Sequence, residues 1–169
     1  MKLAAHLDHS STRLTFVDEE QRAKILADVL IKLAKWVQRE SVRHGKTLKI
    51  RNIKTLRRRF LSFKGKKATT YAKAWLGTSP LGVHAWGDVR ETEDGVFAAG
   101  EHFKGAWVNS MGTGEPLVWR RIWEDNPKSP IEKVTKQIDS DYSRFLLSLE
   151  TELQTKFEQL IEDEIDAIL

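Results

Sequence analysis

F-K-G-A-W-V-N-S-M-G-T-G-E-P-L-V-W-R-R-I-W-E-D-N-P-K-S-P-I-E-K-V, residues Phe103 to Val134, reads as a hairpin followed by an extended arm. Gly105 to Met111 form one apolar-rich run and Pro116 to Trp123 the return run. Between them Gly112, Thr113 and Gly114 supply the turn, because glycine accepts the positive backbone angles that tight turns demand. Trp107, Trp119 and Trp123 sit on the two runs, and aromatic side chains favour pleated, half-buried surfaces. Pro127 and Pro130 then hold the chain extended as far as Ile131, since proline fixes its own φ and biases the preceding residue away from helix. An extended arm is therefore expected over 125–131.

Outward from the hairpin, the β pattern begins at Thr69. Expected strands are Thr70 to Leu76, Val83 to Val89, Gly95 to Ala99 and the two hairpin runs. Turn signals at Gly77-Thr-Ser-Pro80, Glu93-Asp-Gly95 and Gly100 onward separate them. Strands this closely spaced imply an antiparallel meander and not βαβ units. On the N-terminal side, Asp18 to His44 has the pattern of an amphipathic helix. Asp18 with Gln21 resembles a capping box, Glu19 and Glu20 suit the positive end of the helix dipole, and Gly45 is the expected stop. Ile25, Val29, Leu33 and Val37 belong to its apolar stripe. Asn52 is placed to cap a short basic helix with Ile53, Leu56 and Phe60 on one side. Arg57, Arg58 and Arg59 then fan outward, and Phe63 to Lys67 follow as a loop. The chain closes with a long helix from about Ser140 to Ile168. Residues 1–15 carry no period and are expected to be a flexible lead-in. The fold class is thus α+β, a single domain over 1–169. It has an N-terminal amphipathic helix, a short basic helix, an antiparallel β-sheet of about four to five strands and a long C-terminal helix.

Composition narrows the chemistry. The net charge of +4 is mild, but its distribution is uneven. Arg43 to Lys67 holds Arg43, Lys46, Lys49, Arg51, Lys54, Arg57, Arg58, Arg59, Lys64, Lys66 and Lys67, and no acid. From Glu132 on, ten acids face four bases, and the two ends can attract one another within or between subunits. The chain has no cysteine, which removes disulfides, thiolate metal sites and cysteine nucleophiles and suits a reducing cytoplasm. No apolar run approaches the roughly 20 residues of a membrane helix, so no membrane partner is expected. Met1 to Ser11 places His6, Asp8 and His9 where a leader's apolar core would stand, so no secretory leader is expected.

Catalytic readings fare poorly. His6-Leu-Asp-His9 lacks a second ligand pair nearby, so no metal is expected. His84 with Asp88, or Asp94, Glu101 and Lys104, match no acid-acid-lysine pattern of a nuclease and are more simply turn and strand-surface residues. Neither G-x-S-x-G nor G-x-x-x-x-G-K-[ST] occurs, and the glycines at 112 and 114 read as turn-formers. The basic block has two open readings: contact with nucleic-acid phosphates, which needs clustered cations and no particular order, or a solvated face that docks an acidic neighbour. No sequence-reading motif accompanies it, so any DNA contact is expected to be non-specific. Arg120 and Arg121 are adjacent on a strand and must point to opposite faces; one is expected to pair with a carboxylate.

The order of pieces resembles the minor tail protein Z, or tail completion, family of long-tailed bacteriophages. The matching elements are the basic stretch Lys49 to Arg59, the step Ala106-Trp107-Val108, a strand ending at Arg120 or Arg121, and Pro130-Ile131 with Val134 beyond. The resemblance covers roughly Lys46 to the C-terminus. The chain departs from it in a more acidic C-terminal helix and in its own tryptophan-rich hairpin. The resemblance implies a virion structural protein, not an enzyme and without cofactor, at the head-proximal end of the tail. It would be assembled in the host cytoplasm into a homo-oligomeric, hexameric ring in the neck, in contact with tail tube or terminator and head connector proteins and with phage DNA in the lumen. Within that expectation Arg57, Arg58, Arg59, Lys64, Lys66 and Lys67 line the DNA passage. Trp107, Trp119, Trp123, Pro127, Pro130 and Ile131 form the subunit interface. The alternative is a non-specific nucleic-acid-binding protein acting outside a virion.

Overall fold

The computed structural model describes residues 7, 8, 14, 17–63, 71–110, 112, 114–123 and 126–168. The fold is α+β, with three helices and ten short antiparallel strands among the described residues. The strands are shared among four small sheets, two of two strands and two of three. The chain divides into two compact units. One comprises Met1–His44, Arg57–Gly77 and Asp141–Leu169; the other comprises Gly45–Leu56 and Thr78–Ser140.

The first unit is built on two long helices, α1 (Glu19–Thr47) and α3 (Asp139–Asp166). Asp18 caps α1 as its sequence predicts: its Oδ1 accepts the Gln21 amide at 2.9 Å. Ile25, Val29, Leu33 and Val37 are buried along α1, while Tyr142, Leu146, Leu149, Leu153, Phe157, Ile161 and Ile165 form the buried stripe of α3. These are the i, i+3 and i+4 positions that one helix face brings together. The helices run antiparallel. Ser41, late in α1, accepts a 3.0 Å hydrogen bond from the Tyr142 hydroxyl, early in α3, while Lys32, midway along α1, pairs with Glu164, late in α3.

On this pair hangs a two-stranded ribbon, β1 (Phe60–Phe63) with β2 (Lys73–Leu76). Phe60 and Leu76 face each other across it and are fully buried; a side chain of that size contributes about 1.5–3 kcal/mol when withdrawn from water. The Phe60 ring packs edge-on against Tyr142, and Gln38 of α1 donates to the Phe60 carbonyl at 2.6 Å. Ser62 donates in turn to Gln38 Oε1 at 3.1 Å. Strand β1 takes in Phe60, expected on the short basic helix, and Phe63, expected to open a loop. Lys64 to Thr70, including the expected start of the following strand, lie outside the described residues. So does most of the lead-in 1–15; of its described members, Leu14 is buried and Asp8 exchanges two hydrogen bonds with the Gln154 side chain.

Helix α1 overruns the expected stop at Gly45 and ends at Thr47. The reversal is made by Lys49, whose φ is +62°. Ile50 N donates to Gly45 O at 3.0 Å and Lys49 N to Lys46 O at 2.9 Å, the paired bonds of a Schellman ending with a lysine where glycine is usual. The short basic helix, α2 (Ile53–Arg59), forms as the sequence predicts, with Thr55 N donating to Asn52 Oδ1 at 3.2 Å and Leu56 buried.

In the second unit the expected strand Val83 to Val89 is corrected to a 3-10 turn over Val83–Trp86. Its backbone serves other partners. Ala85 O accepts the amides of Arg51 and Asn52, the Trp86 indole donates to Leu48 O at 3.0 Å, and Gly87 closes the turn at φ +72°. The short strand β3 (Leu81–Gly82) precedes it. Next comes the sheet β4 (Arg90–Thr92), β5 (Gly95–Ala98) and β6 (Glu101–Lys104), of which only β5 coincides with an expected strand. Strands β5 and β6 turn through Ala99 and Gly100, both at positive φ, with the Asp88 carboxylate holding both amides. The expected hairpin is present as β7 (Trp107–Asn109) and β8 (Leu117–Arg121), with Trp107 opposite Trp119 and positive φ at Gly112 and Gly114.

The expected extended arm is a correction. Strand β9 (Ile131–Lys133) folds back onto β8, pairing Arg121 with Ile131 and Arg120 with Glu132. Residues 126–130 form the turn that allows this; Glu124 and Asp125 lie outside the described residues. Ser129 N donates to Asn126 O, Ile122 N donates to Pro130 O, and the buried Ser129 hydroxyl accepts the Trp123 amide at 2.9 Å. The prolines thus bound a tight connection in which backbone groups find partners close by. Strand β10 (Thr135–Lys136) continues from β9 to pair with β3.

Two substitutions test these local geometries. A Cβ at Gly95 would lie 2.2 Å from the Phe103 carbonyl oxygen, so Gly95→Ala is expected to destabilise by about 1–3 kcal/mol in urea titration. Lys49→Gly relieves the left-handed backbone and is expected to stabilise by about 0.5–1 kcal/mol in the same measurement.

Candidate nucleic-acid interface and subunit surfaces

The cationic residues predicted to meet DNA emerge from the C-terminal end of α2. Leu56 anchors that helix by burial, so its opposite side faces water. Arg57 and Arg58 are exposed and Arg59 is half-buried, its carbonyl accepting the Gly77 amide at 3.0 Å. The structure therefore separates the three arginines into two free to reach a ligand and one partly held against the body. Lys64, Lys66 and Lys67 lie outside the described residues.

The six residues predicted for a subunit interface divide as well. Trp107 and Trp119 are half-buried partners across β7 and β8. The Trp119 indole donates to Asn109 O at 2.9 Å, and the Arg121 guanidinium lies 5.9 Å from the Trp107 ring. Both tryptophans thus have internal work. Trp123, at 60% exposure, together with Ile131, Pro127 and Pro130, lies exposed at the β8–β9 turn, where Ile122 joins them. This end of the hairpin is the part of the predicted interface available to a neighbour.

Arg120 and Arg121 take opposite roles, as their strand positions require. Arg120 Nε meets Glu132 Oε1 at 2.7 Å across the strand pair. Arg121 instead donates from Nη1 to Ser129 O at 3.2 Å. Both line a shallow cleft of about 260 Å³ with Lys104, Gly105 and Trp107. Much of its positive charge is already engaged by those contacts.

The residues weighed for a nuclease are dispersed. Asp88 holds the Ala99 and Gly100 amides, Asp94 meets His102 Nε2 at 3.1 Å, and Glu101 meets Lys136 at 2.6 Å. Among the described residues no group of three or more His, Asp or Glu side chains is placed to hold a metal ion.

Sequence reasoning missed one surface. On the outward side of the β1–β2 ribbon, Leu61 lies opposite Trp75 and Phe63 opposite Lys73. Leu61, Phe63 and Trp75 are 41%, 47% and 44% exposed. The signal was present in Phe60-Leu-Ser-Phe63, where apolar residues occupy both alternating faces of a short strand.

The perturbed ionisable groups are structural. His44 stacks on Phe145 with ring centres 4.4 Å apart and meets Tyr142 edge-on; burial lowers its pKa from the ordinary 6.5, against the opposing pull of Asp141. His84, packed beside Gly82, is lowered by burial and then by Lys133, with Glu115 opposing. Burial also pushes the Tyr142 hydroxyl well above its usual value. Well above pH 6.5 both histidines are neutral whether folded or unfolded. Below it the unfolded chain takes up protons that the folded chain resists, so stability falls with pH. Thermal melting is expected to show a falling midpoint as pH drops below 6.5, and His44→Phe is expected to flatten part of that slope.

No family model, curated protein or solved structure matches this chain.

Proposed function

We propose that the chain is a structural subunit of a phage virion, a tail completion protein in the neck at the head-proximal end of the tail. In this reading copies close into a hexameric ring that joins the tail to the head connector around the DNA passage, and the subunit performs no reaction. The observation that carries the reading is the presentation of Arg57 and Arg58. Both are exposed on a short helix fixed by the buried Leu56, inside a stretch that contains no acid. Cations mounted this way attract a polyanion through its phosphates without reading its bases. The apolar turn at Trp123 and Ile131 supplies a surface for a neighbouring copy, the kind of patch that a repeated subunit contact covers.

The arginine surface also suits the second reading, a nucleic-acid-binding protein that acts alone outside a virion. Assembly state separates the two. Native mass spectrometry is expected to find a closed oligomer, and imaging of intact particles is expected to place it between head and tail. Charge reversal at Arg57, Arg58 and Arg59 is expected to lower infectious titre while the circular dichroism spectrum stays unchanged. A monomer whose removal leaves particles fully infectious would sink the ring, and a monomer that shifts DNA in a salt-dependent way would favour the second reading.

A further inference from the structure

The exposed face of the β1–β2 ribbon is unusual in its chemistry. Its outward positions are Leu61, Phe63, Lys73 and Trp75, and Lys73 Nζ lies 5.8 Å from the centre of the Trp75 ring. Tyr71, two residues before Lys73, is also exposed. The opposite side is committed to the body through Phe60, Leu76 and the Gln38 hydrogen bonds. The outward rings are therefore presented on a fixed support and do not collapse inward.

Charge says what kind of molecule fits. From Ser41 to Gly87 the chain contains twelve lysines and arginines and not one aspartate or glutamate. The exposed Arg57 and Arg58 lead directly into β1. An acidic ligand thus meets attraction along the ribbon's own segment and no repelling carboxylate from it. Aromatic faces take up nucleobases by stacking, and neighbouring cations hold the phosphates. In duplex DNA the bases are stacked on one another and their faces are not available to side chains; in a single strand they are.

From this combination we infer that the outward face of the β1–β2 ribbon is a binding platform for single-stranded nucleic acid. Phe63 and Trp75 stack on bases, while Lys73, Arg57 and Arg58 meet the phosphates. Leu61 closes the apolar floor beside Trp75. Recognition is independent of sequence, because every base offers a ring face and none of these side chains reads a base edge. The proposal goes beyond the ring reading and does not rest on it.

The test uses the full chain, a fluorescein-labelled oligothymidylate of about twenty nucleotides and a duplex of the same length. Anisotropy titration at one fixed salt concentration is expected to show tighter binding of the single strand. Trp75→Ala and Phe63→Ala are each expected to weaken it roughly tenfold and to leave duplex binding nearly unchanged. Arg57→Gln with Arg58→Gln is expected to weaken both ligands and to reduce the salt dependence. Trp75→Phe keeps a stacking ring, so it is expected to retain affinity while losing part of the tryptophan quenching that the oligonucleotide causes in the parent protein. That measurement stands even where an alanine variant folds poorly. Equal affinity for both ligands, or alanine variants that fold and bind the oligonucleotide like the parent, would overturn the proposal. Alanine variants that alter native mass but not oligonucleotide affinity would assign the face to a second copy of the chain instead.

Discussion

A tyrosine ring withdrawn from water leaves its hydroxyl in need of a partner, and at Tyr142 that need ties two distant stretches of chain together. The hydroxyl donates to Ser41 O, 101 residues earlier in sequence, which fixes the start of α3 against the end of α1. Phe60 packs on the same ring from the ribbon and His44 packs on it from α1. Loss of such a bond leaves a buried polar group unsatisfied, which costs about 1–3 kcal/mol. The helix pair, the histidine environment and the ribbon's attachment all depend on this one ring. The outward side of the ribbon is available to a ligand because its inward side is held here.

The second unit shows how little regular structure is needed when turns are well supplied. Its strands are two to five residues long. What holds them in place is a set of short-range contacts: Asp88 on the β5–β6 turn, Ser129 inside the β8–β9 turn, and Trp86 on Leu48 O. Lys136 reaches the Ala99 carbonyl and the Glu101 carboxylate and lies 5.9 Å from the Trp86 ring centre. A single side chain thereby gathers three segments.

The helices are the most legible part of the sequence because their causes are local. Asp18 and Asn52 cap helices within three residues of themselves, and the buried stripes repeat inside one turn or two. The same local logic misleads at Gly45, where the sequence offers a glycine stop and the chain uses Lys49 four residues further on. Strand placement is less legible, since each strand's partner lies outside its own window. Val83 to Trp86 is as apolar as a strand, yet its backbone is claimed by Arg51 and Asn52. Pro127 and Pro130 suggest extension, but the decisive bond is from the Trp123 amide to the Ser129 hydroxyl, which no proline signal announces. For the candidate site, clustering of the arginines is plain in the sequence, while their unequal exposure comes from the direction in which Leu56 is buried. The ribbon face escaped because Phe60 and Leu61, adjacent apolar residues, point to opposite sides.

The way the chain is shared between its two compact units bears on how it is made. The unit containing Gly45–Leu56 and Thr78–Ser140 is fully synthesised before most of α3 has left the ribosome. The other unit draws on Asp141–Leu169 and must wait for that segment. Until they arrive, the apolar stripe of α1 has no α3 to cover it. While α3 is still to be made, α1 therefore holds an apolar face open, and exposed surface of that kind invites association with other chains before folding is complete.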